Sequence, residues 1–180
     1  MAGHDRSDSE FFRPLAVDSL GEDELVREIE AGPAECQAVA RRLGLEGLSG
    51  LQARFRVARA SGGPLIRVSG AFEADVVQLC VVSLEPVGQH LAEDFSLTFS
   101  LEPVSMQDDL ELTLADEDLP EEISDGVIDL GEAAVQQLAV ALDPYPRRPD
   151  AEVPAALRPV EGGPDGPFAA LGKLKGDKQA

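Results

Sequence analysis

The stretch from Leu51 to Val76 constrains the fold most, because two runs of alternating apolar and polar residues flank Gly62-Gly63. Two adjacent glycines reach the positive-φ conformations that a two-residue hairpin turn demands. With these glycines in the turn, Ser61 faces Pro64 and every other pairing is settled. Val57 then lies opposite Val68, Phe55 opposite Gly70, Ala53 opposite Phe72, and Leu51 opposite Ala74. All of these are apolar or glycine and share one face, which a one-residue slip would destroy. Phe55 opposite Gly70 sets an aromatic ring over bare backbone. Arg54, Arg56 and Arg67 fall on the opposite face.

The flanking segments extend this frame. Phe11 to Val17 predicts a short strand that Pro14 confines to a sheet edge. Leu25 to Ile29 suits a helix or a strand, and Gly32-Pro33 cuts it short. Pro33 to Leu43 predicts a helix with Cys36, Val39, Ala40 and Leu43 on one face and Gly44 at its end. The second hairpin strand is expected to reach about Val82, with Leu84-Glu85-Pro86-Val87 turning the chain. A third strand follows from His90 to Leu101, with Phe95, Leu97, Phe99 and Leu101 inward, and Pro103 stops it.

Beyond Pro103 the chain turns acidic. Leu110, Leu112 and Leu114 suit one more edge strand, whereas Asp116-Glu117-Asp118 and Glu121-Glu122 read as a solvated loop. Asp129 predicts the N-cap of a helix over 131–142, with Glu132 as capping-box partner and Val135, Leu138, Ala139 and Leu142 as its apolar stripe. Asp143-Pro144 ends it. The expected architecture is α+β: an antiparallel sheet built on the central hairpin and covered by two or three helices, spanning residues 11–143. A disordered tail at 1–10 precedes it, and an acidic loop occupies about 103–125. A Pro/Gly-rich tether with a short C-terminal helix, 144–180, follows as an extended arm.

The formal net charge of -19 is very uneven. Residues 68–146 contain 18 acidic side chains and no Lys or Arg, whereas residues 147–180 net +1. A field of that sign repels polyphosphate and attracts basic proteins, or simply solvates one face. The apolar runs are too short to span a bilayer, and the charged N-terminus has no secretory h-region, so a cytoplasmic protein is expected. Two isolated cysteines, Cys36 and Cys80, suggest no disulfide framework.

Catalysis finds little support. His4 and His90 are the only histidines, and a nucleophilic triad would rest on His90 alone. Carboxylates are abundant, but without the spacing of a calcium loop, and there is no glycine-rich phosphate loop. Cys80-Val-Val-Ser83 has one thiol and no nearby histidine, which is not a zinc site; it reads as a buried structural cysteine at a strand end. Neither an enzymatic activity nor a cofactor or metal is expected.

Five phrases carry a resemblance: Val68-x-Gly70 with Ala74-x-Val76, Cys80-Val-Val-Ser-Leu-Glu-Pro-Val87, Ile128-Asp-Leu-Gly-Glu132, Asp143-Pro-Tyr-Pro-Arg147 and Pro167-Phe-Ala-Ala-Leu171. In this order they resemble the bacterial YceD family of large ribosomal RNA subunit accumulation proteins, in its alphaproteobacterial form, from about Phe11 to Lys175. The resemblance implies a non-catalytic role in synthesis, processing or stability of large-subunit ribosomal RNA, and hence ribosome biogenesis. Many relatives carry a second cysteine where this chain has Ser83, and Asn where it has Gly166, so any role of those side chains does not transfer.

Three mechanisms fit that expectation. The favoured one is an acidic adaptor for a basic ribosomal or assembly protein, with Asp143, Tyr145, Arg147, Phe168 and Leu171 as partner-binding candidates. Another is direct binding of pre-ribosomal large-subunit RNA through Arg54, Arg56 and Arg67 with Lys173 and Lys175. The weakest is a metal-dependent ribonuclease built on the carboxylates of 108–122. No membrane or DNA partner is expected.

Overall fold

The computed structural model describes residues 9–21, 23–60, 64–102, 120–123 and 125–153. Its centre is the expected hairpin: β3 (Gly47–Arg59) and β4 (Leu65–Leu79) pair antiparallel with Val57 opposite Val68, Phe55 opposite Gly70 and Ala53 opposite Phe72. The Gly62-Gly63 turn lies outside the described residues. The Ala60 amide donates to the Leu65 carbonyl at 2.9 Å, so the ladder closes onto it.

One pairing differs from expectation. The register shifts between Ser49 and Gln52, so Leu51 and Ala74 are not a simple pair. Gly50, at φ +62°, supplies the left-handed residue that such a bulge needs. The shift puts Ser49 and Gly50 outward and turns half-buried Leu48 back toward the core, opposite buried Val76.

β2 (Leu25–Glu30), ambiguous in sequence, is a strand on one side of β3, and β5 (Pro86–Ser100) lies beyond β4. The hairpin between β4 and β5 is earlier and tighter than expected: β4 ends at Leu79, and β5 begins at Pro86 rather than His90. Phe95 and Leu97 are half-buried and Phe99 buried, but Leu101 is exposed because the ladder ends at Ser100. Glu121-Glu122 is not plain loop. As β6 (Glu121–Glu122) it pairs parallel to Phe99 and Ser100, giving the sheet order β2-β3-β4-β5-β6. The possible strand at Leu110, Leu112 and Leu114 lies outside the described residues.

Helix α1 (Pro33–Leu43) begins with Pro33 at its first position and ends on left-handed Gly44, as predicted. It packs against β3. Helix α2 (Leu130–Ala141) starts one residue early and buries Leu130, Ala134, Val135 and Leu138, while Ala139 is exposed. Just before it, β7 (Val127–Asp129) pairs with β1 (Pro14–Ala16) in a separate two-stranded sheet. The two helices and the two-stranded sheet cover one face of the large sheet, and among the described residues its other face is open. The core is Phe11, Leu51, Phe55, Ile66, Val68 and Leu138 with their neighbours, all essentially without solvent contact.

The Ile128-Asp-Leu-Gly-Glu132 phrase acquires a physical meaning here. Ile128 and Leu130 enter the core, and the Asp129 carboxylate accepts from the amides of Arg13 at 2.8 Å and Gly131 at 3.0 Å. A Cβ on Gly131 would sit 1.6 Å from the Phe11 carbonyl oxygen, so only glycine admits that backbone. Glu132, expected to complete a capping box, gives its carboxylate to the Arg42 guanidinium, at 2.6 and 2.7 Å.

Candidate functional site

Two motifs distant in sequence meet in one place. The turn between β4 and β5 closes with Cys80 N–H donating to the Glu85 carbonyl at 2.8 Å and Leu84 N–H to the Cys80 carbonyl at 2.9 Å. The segment after α2 crosses this turn as a strap. Val81 N–H donates to the Pro146 carbonyl at 2.9 Å, and Gln78 Nε2 to the Asp143 carbonyl at 3.0 Å. Arg148 adds an ion pair to Glu85 at 3.0 Å and a two-pronged contact to Asp150. Within the strap, Pro146 and Ala151 are buried.

Cys80 lies beneath turn and strap, fully covered yet outside the main hydrophobic cluster. The amides of Val82 and Ser83 each reach its sulfur at 3.4 Å. The Ser83 hydroxyl, then the backbone donors of Arg148, Ser83 and Val82, hold the thiol down to about 6, against burial, which pushes it up. Cys80 is thus buried at a strand end, as the sequence suggested, and its sulfur sits in a cradle of donors that favours the thiolate. The signal for it was Ser83, the hydroxyl three residues on.

The strap sorts the partner-binding candidates. Asp143 shapes it, its carboxylate accepting from Tyr145 N–H at 2.8 Å. Arg147 donates to the Ala151 carbonyl at 2.9 Å, within the strap itself. Tyr145 is 75% exposed, and Leu84 on the turn is 71% exposed at φ +60°, a conformation costly for a bulky side chain. Val81 and Leu79 are exposed as well. The turn and strap therefore bear apolar surface on a backbone tied down by hydrogen bonds. Phe168, Leu171, Lys173 and Lys175 lie outside the described residues.

Arg54, Arg56 and Arg67 stand on the open sheet face, all exposed. They do not form a uniform patch. Arg54 is 3.5 Å from Glu28, in a shallow hollow of about 490 Å³ that Glu73 and Asp94 also line. Arg56 and Arg67 lie nearer the hairpin turn, opposite Ser69 and Ala58 respectively, and Thr98 flanks Arg67 on β5. The face is acidic at one end and basic at the other. The carboxylates of 108–119 are outside the described residues; Glu121 and Glu122 are exposed on the sheet edge. Among the described residues no helix is long and apolar enough to cross a membrane, and no cluster of His, Cys, Asp or Glu is placed to hold a metal ion.

Residues 68–175 match the family model described as large ribosomal RNA subunit accumulation protein YceD. The match takes in β4, β5, the Cys80 turn, α2 and the strap. No curated protein and no solved structure matches the chain.

Proposed function

The chain belongs to the YceD family of large ribosomal RNA subunit accumulation proteins, and from that membership we propose that it acts as a non-catalytic adaptor that holds a basic ribosomal or assembly protein during large-subunit biogenesis. One observation carries this reading. Of the 18 carboxylates in the span without Lys or Arg, 12 fall on described residues, in β4, β5, β6, β7, α2 and the turns that flank them, with no cation of that span among them. Two arginines from outside that span pair with it, Arg42 with Glu132 and Arg148 with Glu85, whereas Arg13 and Arg54 pair with Glu35 and Glu28, which lie outside it. Such a surface steers a polycation and repels bare phosphate. The exposed apolar turn and strap supply contact area that charge alone lacks.

The test is affinity capture of the tagged protein from cells, with and without ribonuclease. The expected result is a basic protein retained after ribonuclease. Loss of every partner on ribonuclease treatment overturns the adaptor and favours direct RNA binding, for which Arg56 and Arg67 at the basic end of the open face are the supporting groups.

A further inference from the structure

A cavity of about 560 Å³ opens between β6, β7, the start of α2 and the first described residues. Its floor is apolar: Phe99, Ile123, Ile128 and Ala133, all buried or nearly so. Its rim is the reverse. Glu10, Glu121, Glu122, Asp129 and Glu132 line it, and Arg42 is the one cation among the lining residues.

These carboxylates are not equivalent. Asp129 is committed to the amides of Arg13 and Gly131. Glu132 and Glu10 converge on Arg42, with Glu10 at 3.1 Å, so the rim already closes on a guanidinium from within the chain. Glu121 and Glu122 remain. The parallel bridge of β6 to Phe99 and Ser100 holds them at the mouth, both exposed, and among the described residues neither forms an ion pair. The Ser9 hydroxyl on the wall is buried, and among the described residues it makes no hydrogen bond.

An apolar floor under an anionic rim matches one kind of side chain, a long hydrocarbon stem ending in a cation. We propose that this cavity is a docking pocket for a Lys or Arg side chain presented by an extended basic segment of a partner protein. The stem lies on Phe99 and Ile123, and the head meets Glu121 and Glu122. The proposal rests on the adaptor reading and names its contact point. A phosphate-bearing ligand is repelled by the rim. The field of the acidic span favours an occupant with several positive charges, and the C-terminal residues 147–180 of this chain net only +1.

The test uses the full chain and a fluorescent peptide of alternating Lys and Ala, read by anisotropy at about physiological ionic strength. The Glu121→Gln/Glu122→Gln variant is expected to bind about tenfold more weakly or worse, the size of a specific interfacial charge contact. Glu28→Gln/Asp94→Asn, with the same charge change on the open sheet face, is expected to bind within about twofold of the parent. Gln136→Lys, which sets a cation at the mouth from an exposed helix position, is expected to compete with the peptide, and its thermal unfolding shows that the domain is intact. Equal loss in both double variants overturns the pocket and leaves a diffuse acidic adaptor standing. Failure of the parent to bind the peptide, while a basic protein is still captured after ribonuclease, also overturns the pocket alone. Tighter peptide binding in Lys173→Ala/Lys175→Ala/Lys178→Ala that disappears when Glu121→Gln/Glu122→Gln is added overturns the choice of occupant, because the chain's own tail then competes for the pocket, a gain from charge alone being kept in that background.

Discussion

Phe55 and Phe95 meet edge to face across Gly70, with ring centroids 5.5 Å apart and planes at 71°. Both are cross-strand partners of that glycine, one from each neighbouring strand. The missing side chain is what lets the rings close. Phe55→Ala is expected to cost about 3–5 kcal/mol, because the ring is fully buried and leaves a cavity. In Gly70→Ala the new Cβ would lie 2.5 Å from Phe95 Cζ and 3.1 Å from the Arg54 carbonyl oxygen. The ring tip can swing away but the carbonyl is held in the ladder, so about 1–3 kcal/mol is expected. Denaturant midpoints of the two variants check both values; an unchanged midpoint for Phe55→Ala would falsify the packing.

A harsher outcome is expected for Gly131→Ala. The obstacle there is the Phe11 carbonyl, backbone rather than a movable side chain. The substitution should separate the N-terminal segment from α2, break the Asp129 contact to Arg13, and cost more than the about 1–3 kcal/mol of an ordinary overpacked site. Proteolysis near Phe11 should accelerate along with a lowered Tm. Normal protection of that segment would show that the close approach is not needed.

The Cys80 thiol should ionise near pH 6, followed by thiolate absorbance in the ultraviolet and absent in Cys80→Ala. An unfolded thiol ionises near 8.5. The folded value lies below the unfolded one, so its contribution to stability is complete above about pH 8.5 and declines as pH falls toward 6, where it vanishes. The parent should therefore lose its advantage over Cys80→Ala across that window. Ser83→Ala, which removes the first donor, should move the ionisation upward. A midpoint that stays near 6 in Ser83→Ala would locate the cause elsewhere.

Arg54→Glu, Arg56→Glu and Arg67→Glu separate adaptor from RNA binder. Should the open face touch phosphates, the triple reversal abolishes RNA retention and flattens its salt dependence. Under the adaptor reading, capture of a basic protein persists. Single reversals should rank, with Arg56 and Arg67 mattering more than Arg54, which already faces Glu28.

The hairpin register was legible because strand alternation has a period of two and the apolar faces of β3 and β4 match in only one alignment. Helix α1 was legible for a similarly local reason, Pro33 and Gly44 punctuating its ends. The bulge at Gly50 was not, since Leu51 fits the inward pattern in either register and only the positive φ betrays the extra residue. β6 and β7 were too short to show a period and exist by pairing with strands already in place.

The candidate sites divide along the same line. Charge needs no fold, so the acidic span and the arginines beside it could be read off the chain directly. What the charges do could not. Arg42 reaches Glu132 across 90 positions, Gln78 reaches Asp143 across 65, and Val81 takes its partner from Pro146. No local propensity encodes such a pair; each exists because packing of β4, β5 and α2 brings two backbones together. Sequence by itself determined the hairpin, the first helix and the sign of the field. Only tertiary structure decided which carboxylates are already spent, where the Cys80 cradle closes, and that the acid of β6 stands over an apolar cavity.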